Sequence, residues 1–512
     1  MVTAARIRRE LQLRPLGVNV GSVLNLVAAV VKYLGLAFLF PLAIALGYGE
    51  PFWPFLAAGA ISAGVGWSVE RLTQGKERIG IREGFLVVAL TWLVVPAFGC
   101  LPFLFAAEPQ LDNPVDAYFE AVSGFTATGA TVLTDIEALD HSLAMWRQFT
   151  QWLGGMGIIV LAVAVLPRLR VGGRQLLESE LAGPQEVEHL SITIRETARR
   201  LWVLYVGLTV LAIAVLTVFG WTGLDPAMSF YEAAAHAFST LSIGGFSTQE
   251  DSMAAFGAAT HWAVIVFIVL AGINFLRLYV ALVQRRAFAV ARDEEFRLYL
   301  GFIAIGSALV LVELLAGGFF AGEEAVRNAI FQAVSIMTTT GFVTADYTEW
   351  SALAGMTLLL LMFIGASAGS TGGSIKVVRH LLMFRIIRRE LEQTVHREAV
   401  VPVRLSGRTV DERALRGLVT FIVLYIGLFA LGAVGLVIDA RRADTEIAAF
   451  EAIGAAAACL GNVGPAFGFA GPFGTYEPFS NLSTGILTGL MWLGRVEIIP
   501  VAVLLTRSYW RG

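Results

Sequence analysis

Four short stretches of this chain carry the residue types that could bind a dehydrated cation. They read SGFTATG (123–129), STLSIGG (239–245), SIMTTTG (335–341) and ACLGNVG (458–464). Each ends in a glycine six residues after a small residue, and each closes an apolar segment too short to cross a membrane. Four copies of one turn predict a ring with pseudo-fourfold symmetry. In such a ring, backbone carbonyl oxygens replace the water shell of a cation.

The residues just before each glycine would form the ring. They are small, hydroxylic or β-branched, which favours an extended strand with inward carbonyls, and the glycine allows the backbone angles that this needs. They are Thr126, Ala127 and Thr128 before Gly129; Ser242, Ile243 and Gly244 before Gly245; Thr338, Thr339 and Thr340 before Gly341; and Gly461, Asn462 and Val463 before Gly464. The hypothesis places the cation against the carbonyl oxygens of Thr128, Gly244, Thr340 and Val463. The alternative is four helix-breaking loops packed separately between spans.

Polar residues also recur at matched positions upstream of the glycines. Nine residues before the glycines stand Glu120, His236, Gln332 and Ala455, and thirteen before them stand Asp116, Glu232, Asn328 and Glu451. The N-terminus of a helix favours acidic side chains. The pattern therefore predicts a short helix leading into each turn.

A glycine-rich break interrupts the apolar segment that follows the third turn. The stretch GASAGSTGGS (365–374) holds four glycines in ten residues, which no stable helix would contain. Such a break predicts a flexible gate just below the ring, formed by Gly369, Ser370, Thr371, Gly372 and Gly373 and followed by Lys376. The alternative is a packing break that lets helices approach closely. The long side chain of Lys376 would also suit snorkelling to the cytoplasmic interface.

Arg495 lies in the apolar segment after the fourth turn. A mid-membrane arginine is costly and by default marks a functional site. Facing a pore, it would repel cations or bind the gate. The alternative is a structural pair with Glu497 or with loop carbonyls. Lys32, in the first apolar segment, either snorkels or pairs locally.

Composition places the chain in a membrane. Hydrophobic residues make up 56% and charged residues 15% of the sequence, and the mean hydropathy is +0.71, whereas soluble domains carry about 25% charged residues. The two cysteines, Cys100 and Cys459, lie in apolar context and favour buried thiols over a disulfide framework. The basic N-terminus precedes a long apolar span with no clear cleavage site, so no cleavable signal is expected.

The apolar pattern predicts an all-α integral membrane protein with ten transmembrane helices, two N-terminal ones and four repeats of helix, re-entrant loop and helix around a pseudo-fourfold pore. The N-terminal spans are 20–48 and 51–70. The outer spans of the repeats are 84–106, 200–221, 296–317 and 413–438, the half-spans 115–127, 227–242, 325–338 and 446–460, and the inner spans 145–167, 261–284, 353–383 and 482–507. The corresponding domains are 1–75, 80–170, 195–290, 293–390 and 410–512.

Loop charges predict the orientation. One set of connections is basic and includes 6–14, 71–82, 168–174, 285–297 and 379–416. The other set carries many acidic residues: Glu108, Asp112, Asp135, Glu137, Asp140, Glu250, Asp251, Glu323, Glu324, Asp346 and Glu477. The basic side is predicted to be cytoplasmic, with both termini inside and the four turns entering from outside. An acidic outer vestibule would concentrate cations; the alternative is that these acids only solubilise loops.

The residues leave two other classes of protein as alternatives. A secondary sodium–solute symporter would need inverted repeats and discontinuous spans in matching halves. Here the four repeats share one orientation, and the clearest break falls in one span. An intramembrane enzyme would need paired carboxylates, a metal-ligand cluster or a nucleotide loop, and none of these stands out in the sequence.

Several motifs resemble the Trk/Ktr/HKT superfamily of potassium transporters. They are GFTATGATVLTD (124–135), WRQFTQWLGGMGII (146–159), HAFSTLSIGGFST (236–248), TTTGF (338–342), GSTGG with IKVVR (369–373 and 375–379), GNVGP (461–465) and the pair Gly494 and Arg495. They run over nearly the whole chain in order. The two extra N-terminal spans make the chain more similar to the TrkH branch than to the eight-span KtrB branch.

The resemblance implies potassium uptake across the bacterial cytoplasmic (inner) membrane, with K⁺ as the transported ion. It places a selectivity filter at Gly129, Gly245, Gly341 and Gly464, an intramembrane gate at 365–374 and a constriction at Arg495. It also implies a homodimer and a cytoplasmic TrkA-type (RCK) ring that binds nucleotide, with no nucleotide bound by this chain itself. Sodium-carrying plant relatives replace the first filter glycine by serine, so Gly129 favours potassium. Gly244 stands where two other turns have threonine, as is usual in the superfamily.

The basic stretch 379–416 is the candidate docking surface for that cytoplasmic partner. It contains Arg385, Arg388, Arg389, His396, Arg397 and Arg404. The alternative is ordinary positive-inside charge in contact with lipid headgroups. Membrane lipids are expected around the chain, and no nucleic-acid partner is expected.

Overall fold

The structure, a computed structural model, describes residues 18–74, 80–164 and 194–511. Within these residues the chain is helical except for loops and one two-stranded antiparallel hairpin. The hairpin pairs β1 (Arg404–Leu405) with β2 (Arg408–Thr409). The predicted basic segments 6–14 and 168–174 lie outside the described residues, as does part of 71–82. The fold is thus mainly α-helical, as the apolar pattern predicts.

The described residues begin with a helical hairpin. Its helices are α1 (Val20–Ala37), α2 (Leu39–Tyr48) and α3 (Trp53–Leu72). A Cβ on Gly66 would lie 2.7 Å from the carbonyl oxygen of Ala28, so the glycine permits a close helix crossing. The ammonium group of Lys32 pairs with Glu70 at 2.5 Å across the same contact. Of the two alternatives for Lys32, the structure shows the pairing.

The rest of the chain repeats one order of elements four times: a long helix, a short helix, a turn and a second helix. Unit 1 contains α4 (Ile81–Gly99), α5 (Leu101–Ala106), α6 (Pro114–Phe125) and α7 (His141–Ala164). Unit 2 contains α8 (Ile194–Thr222), α9 (Phe230–Ser242), α10 (Ala258–Ala271) and α11 (Phe275–Leu282), and α12 (Ala287–Ala291) follows it. Unit 3 contains α13 (Glu294–Ala316), α14 (Gly322–Thr338), α15 (Ala352–Met362) and α16 (Val377–Val395). Unit 4 contains α17 (Glu412–Ala443), α18 (Ala449–Gly461), α19 (Asn481–Arg495) and α20 (Ile499–Leu504), with α21 (Arg507–Trp510) at the end.

By length and apolar composition, five segments of the described residues could cross a membrane: Val20–Tyr48, Arg82–Ala106, Glu196–Thr222, Glu294–Ala316 and Glu412–Ala443. The bent pair α10 and α11 would make a sixth. Only 22% of the most apolar part of α17 is buried within the chain, against 56% for α4 and α5 together. Apolar side chains that face outward suit a lipid environment. The ten-span count and the domain limits stay predictions.

Breaks interrupt the second helices of three units. The axes of α10 and α11 differ by 109°, residues 363–376 separate α15 from α16, and Glu497 and Ile498 adopt positive φ between α19 and α20. The expectation of a single clear break was therefore incomplete. Backbone groups freed inside a membrane need protein partners. Those at the first break find them in the second, because the amide of Ser367 donates to the carbonyl oxygen of Gly272 at 3.0 Å.

The core is built around the short helices. The final residues of α6, α9, α14 and α18 are buried without interruption, in α18 from Gly454 to Gly461. These helices have 12, 13, 17 and 13 residues. A helix rises about 1.5 Å per residue, so each is shorter than a 30 Å hydrocarbon core. The fold therefore points four short helices, surrounded by longer ones, into its interior.

Candidate functional site: a ring of four turns and the loop beneath it

Each short helix ends in the same turn. The amide of the residue before the glycine donates to the carbonyl oxygen six residues before that glycine in all four units. These bonds join Thr128 to Ser123 (2.8 Å), Gly244 to Ser239 (2.9 Å), Thr340 to Ser335 (2.7 Å) and Val463 to Ala458 (2.8 Å). Such a bond is typical of helix C-termini that end in a left-handed residue. It explains the regular six-residue spacing in the sequence.

The backbone of the turns is not the simple extended strand that the residue types favoured. Ala127, Ile243, Thr339 and Asn462 adopt φ of 51°, 57°, 70° and 54°. The glycines two positions later adopt φ of 85°, 76°, 82° and 103°. A left-handed residue closes the helix and redirects the chain, so helix termination overrides the β-propensity of isoleucine and threonine.

The four turns lie side by side in cyclic order. A Cβ on Gly129 would collide with the carbonyl oxygen of Gly244 in unit 2. Gly245 stands in the same relation to Thr340 in unit 3, and Gly341 to Val463 in unit 4. Gly464 closes the circle, because its Cβ would lie 2.6 Å from the carbonyl oxygen of Thr128. The structure thus brings the four glycines and these four carbonyl groups together around one centre.

One cavity is lined by all four glycines. Arg147, Glu250 and Tyr476 contribute to its wall. Partial burial and the nearby carboxylates of Asp135, Glu137 and Asp251 raise the pKa of Glu250 above its ordinary value. A row of carboxylates therefore stands at the acidic side of the ring, where mutual repulsion favours the arrival of cations.

Polar contacts close each junction between neighbouring turns. Between units 1 and 2, the guanidinium of Arg147 donates to the carbonyl oxygen of Ser247 at 3.2 Å. Between units 2 and 3, the amide of Met253 donates to the carbonyl oxygen of Val343 at 2.9 Å. The remaining junctions use the Tyr347 hydroxyl on the Ala466 carbonyl at 2.9 Å and the Tyr476 amide on the Thr131 carbonyl at 2.8 Å.

A buried ion pair supports the first turn. Nε of Arg147 lies 2.8 Å from Oε1 of Glu120, and the two side chains are 1% and 0% exposed. The amide of Val132 and the hydroxyl of Thr131 donate to the same carboxylate. Glu120 thereby links the short helix α6 to the loop segment that follows the turn. The sequence register singled out Glu120, whereas Arg147 was missed; its signal was a charged residue inside a predicted span.

The residues equivalent to Glu120 make a similar contact in two other units. Nε2 of His236 lies 2.9 Å from the Ser247 hydroxyl, and the side-chain amide of Gln332 donates to the Thr344 hydroxyl at 3.2 Å. Ala455 has no polar side chain. In unit 4 the Tyr476 hydroxyl donates to the Gly464 carbonyl oxygen at 2.7 Å instead. In units 1, 2 and 3 the recurring polar residue thus binds the loop segment that follows the turn.

Hydroxyl groups line the inner end of the turns. Thr126 and Thr128 share a hydrogen bond of 2.6 Å, and Thr338 and Thr340 share one of 2.8 Å at the matching place in unit 3. The amide of Asn462 donates to the Thr128 hydroxyl at 3.0 Å. Ser242 bonds back to its own helix at the Ser239 carbonyl.

The 365–374 loop lies directly against the inner ends of the short helices. The amide of Gly373 donates to the Thr339 hydroxyl at 2.7 Å, and the Thr371 hydroxyl donates to the Leu241 carbonyl oxygen at 3.2 Å. A Cβ on Gly373 would strike the carbonyl oxygen of Gly461. The loop therefore contacts units 2, 3 and 4 at once, and only glycine fits against the last of them.

Arg495 is buried against this loop. Its Nη1 donates to the Thr371 carbonyl oxygen at 2.9 Å, and its Nη2 donates to the Gly154 carbonyl oxygen at 3.1 Å. Glu497 pairs with Arg379 instead. Of the structural alternatives for Arg495, the structure shows the loop carbonyl and not the Glu497 pair. Arg495 thus links the loop to the inner helix of unit 1.

Lys376 does not snorkel. Its side chain is 7% exposed, and its ammonium group donates to the carbonyl oxygen of Gly372. The snorkelling alternative was therefore wrong. The lysine holds the glycine-rich loop from within the protein.

Two residues that sequence reasoning missed anchor the other end of the loop. The carboxylate of Glu295 accepts a hydrogen bond from the Ala368 amide at 2.7 Å. The side-chain amide of Asn274, at the break between α10 and α11, donates to the Ala368 carbonyl oxygen at 2.7 Å. Glu295 also lies 3.3 Å from Arg277. For Glu295 the available signal was an acidic residue in the basic connection 285–297, directly before a predicted span.

The basic stretch 379–416 is partly engaged within the chain. Arg385 lies 3.0 Å from Glu294, and Arg389 lies 2.5 Å from Glu412. The side chains of Arg388, Arg397 and Arg404 are exposed, as is that of His396. These exposed basic side chains lie near the β1–β2 hairpin, together with the exposed carboxylates of Glu390, Glu392 and Glu398.

Apolar helices of membrane-spanning length that surround a ring of backbone carbonyls define a membrane transport protein. The family model for TrkH, described as a cation transport protein, matches residues 55–510. The chain belongs to this family. It is a family of transporters and not of enzymes, so the intramembrane-enzyme alternative was wrong.

Named relatives and a solved structure agree with this assignment. The chain is 37% identical to the Trk system potassium uptake protein TrkH of Salmonella typhimurium over 471 residues, which cover 91% of this chain and 92% of the relative. It is 36% identical to the protein of the same name from Vibrio parahaemolyticus over 501 residues, or 96% and 99% of the two chains. The crystal structure of the potassium transporter TrkH from Vibrio parahaemolyticus superimposes with a TM-score of 0.86 at 32% identity, covering 96% of this chain and 100% of that one.

Proposed function

We propose that this chain takes up potassium across the bacterial cytoplasmic membrane through the ring of four turns. The observation that carries the proposal is the cyclic contact between each glycine and the carbonyl group of the next unit. Four carbonyl oxygens from equivalent turns can replace the hydration shell of a monovalent cation. The relatives are named as potassium uptake proteins, which favours K⁺ as the ion.

In this proposal K⁺ binds the carbonyl oxygens of Thr128, Gly244, Thr340 and Val463. The glycine that follows each of them leaves room for the carbonyl group of its neighbour. The hydroxyl-rich inner ends of the turns continue the polar path towards the cytoplasm. The carboxylates near Glu250 raise the local concentration of cations at the outer side of the ring.

The 365–374 loop and Arg495 form the gate of this pathway. The loop lies under the ring and contacts three of the four units. The guanidinium of Arg495 adds a positive charge beside it, which raises the electrostatic barrier for a passing cation. Movement of the loop away from Leu241 and Thr339 opens the path.

A cytoplasmic nucleotide-binding (RCK) ring of the TrkA type controls this gate, and two copies of the chain form a homodimer with one pore each. The relatives belong by name to a Trk system, which supports a partner. The exposed basic residues beside the β1–β2 hairpin supply its docking surface. Both chain termini lie on that cytoplasmic side, where basic connections collect.

A flux measurement tests the proposal. The purified chain in lipid vesicles is expected to carry rubidium inward down its concentration gradient, and external K⁺ should compete for the same pathway and reduce that flux. Sodium should compete poorly. Rubidium movement that occurs only with a sodium or proton gradient would replace diffusion by ion coupling. Vesicles with folded protein but no rubidium uptake above protein-free vesicles would contradict the proposal.

A further inference from the structure

Gln151 reaches from the inner helix of unit 1 into the turn of unit 2. Its side chain is fully buried. Nε2 donates to the carbonyl oxygen of Gly244 at 2.6 Å, and Oε1 accepts from the amide of Phe246 at 3.1 Å. One carboxamide thus bridges the two peptide groups that flank Gly245.

This bridge makes one member of the ring different from the others. Among the described residues, Gly244 is the only one of the four ring positions whose carbonyl oxygen accepts a hydrogen bond. A Cβ at position 244 would lie 2.5 Å from Cδ of Gln151. The carboxamide therefore requires glycine here, where units 1, 3 and 4 carry threonine or valine.

Arg147 lies one helical turn before Gln151 on α7 and binds the same loop segment of unit 2. Its guanidinium carbon lies 4.2 Å from the centre of the Phe246 ring, and Nη1 donates to the Ser247 carbonyl oxygen. One face of α7 thus holds the loop segment from Gly244 to Ser247. These contacts restrain the segment that carries the Gly244 oxygen.

We propose that Gln151 is a positioning residue that sets the preference of the ring for potassium over sodium. This inference rests on the proposed potassium pathway. A carbonyl oxygen has two lone pairs, so Gly244 can accept the amide and still face a cation. The amide fixes the position of the oxygen and weakens its field at the ion. Ring size and carbonyl field strength are the two quantities from which such selectivity arises.

The test compares Gln151→Leu with Gln148→Leu in vesicles. Gln148 is a matched control because it is a fully buried glutamine on the same helix, and its Oε1 accepts from Ser239 on α9 and not from the ring. The ratio of sodium to rubidium uptake should rise about tenfold in Gln151→Leu, the effect of losing a buried hydrogen bond. It should stay at the unmodified value in Gln148→Leu.

The outcomes separate the two proposals. No rubidium uptake by the unmodified protein overturns the proposed function, and this inference with it. Selective uptake by the unmodified protein together with an unchanged ratio in Gln151→Leu overturns this inference alone. A rubidium-bound crystal structure of the unmodified protein tests the same contact without a substitution. The amide should still reach the Gly244 oxygen while that oxygen faces the ion, and an amide turned away from it overturns the inference.

Discussion

A Cβ on Gly464 would lie 2.6 Å from the carbonyl oxygen of Thr128, which joins the last unit to the first. The two residues are more than 300 positions apart in the sequence, yet they repeat the contact that Gly129 makes with Gly244. The backbone of each turn therefore approaches the backbone of the next turn closely all the way around the ring. Any side chain at these glycines must push a carbonyl group away from its place.

Replacing Gly129 with serine should weaken the discrimination against sodium. The new Cβ meets the Gly244 carbonyl group, and φ of 85° at this position strains any residue with a side chain. The reversal potential in mixed sodium and rubidium solutions measures the effect, and we expect the rubidium preference to fall about tenfold, in line with about 1–3 kcal/mol of strain. Gly301→Ser is the control, because a Cβ there meets nothing within 4 Å. Equal reversal potentials for the two variants would contradict the filter assignment.

Arg495→Ala should raise rubidium flux. The substitution removes a buried charge and two hydrogen bonds, to Thr371 and to Gly154. Hydrogen bonds from charged groups contribute about 1.5–3 kcal/mol each, so the closed loop loses enough stability for an increase of about tenfold or more. Initial rates in vesicles measure it. Arg495→Lys keeps the charge but cannot reach both carbonyls with one planar group, so its flux should be intermediate.

Glu497→Gln distinguishes the gate from a simple ion pair. Glu497 binds Arg379 and not Arg495. Glu497→Gln should therefore raise rubidium flux less than Arg495→Ala does. If Glu497→Gln raised flux as much as Arg495→Ala, the assignment of Arg495 to the loop would be wrong.

Asn274→Asp should also increase flux, because it loosens the loop at its other end. Aspartate can still accept the amides of Leu276 and Arg277 that Asn274 accepts at the start of α11. It cannot donate to the Ala368 carbonyl oxygen as asparagine does. The substitution therefore removes the contact with the loop and keeps the cap of α11. Rubidium rates compared with those of a 369–373 deletion measure how much of the closure depends on this contact, and a slower rate in either folded variant would reject the loop as a gate.

The position of the turns was predictable from the sequence, because each needs a small residue, a glycine and a fixed spacing that helix termination imposes. The polar residues at matched positions before the turns were also recognisable, and three of them bind the loop segment that follows the turn. These features arise from local geometry. Local geometry repeats wherever the same residues repeat.

Contacts between units were not predictable in the same way. Gln151, Glu295 and Asn274 act on residues 73 to 95 positions away, and the four junctions use different contacts, two from side chains and two from backbone amides. The backbone conformation of Ile243 was also missed, since its β-branched side chain favours a strand while the helix end imposes the left-handed region. Tertiary packing decided the contacts between units, whereas the helix end decided the conformation of Ile243.

Glu120→Ala should destabilise the protein strongly. It leaves the guanidinium of Arg147 buried without its carboxylate, and breaking a buried pair on one side costs about 3–5 kcal/mol. Thermal unfolding in detergent measures the change. Glu196→Gln is the control, since Glu196 and Arg200 form an exposed pair whose loss costs about 0.3–0.5 kcal/mol. A double variant, Glu120→Gln with Arg147→Met, should recover part of the loss, and equal unfolding temperatures for Glu120→Ala and Glu196→Gln would contradict the structural role of the pair.

Glu50 gives the contact between α7 and the N-terminal hairpin a stability that depends on pH. Burial alone would raise the pKa of this carboxyl, but hydrogen bonds from Ser142 and His141 outweigh burial and hold its pKa below the ordinary value. A carboxyl whose pKa falls on folding stabilises the protein above its unfolded pKa of about 4.3. That stability disappears as the pH falls through the lower folded pKa. The unfolding temperature of the unmodified protein should therefore exceed that of Glu50→Gln at pH 7, and the difference should shrink below about pH 4. A difference that stays constant from neutral to acidic pH would show that the charge on Glu50 is not what joins α7 to the N-terminal hairpin.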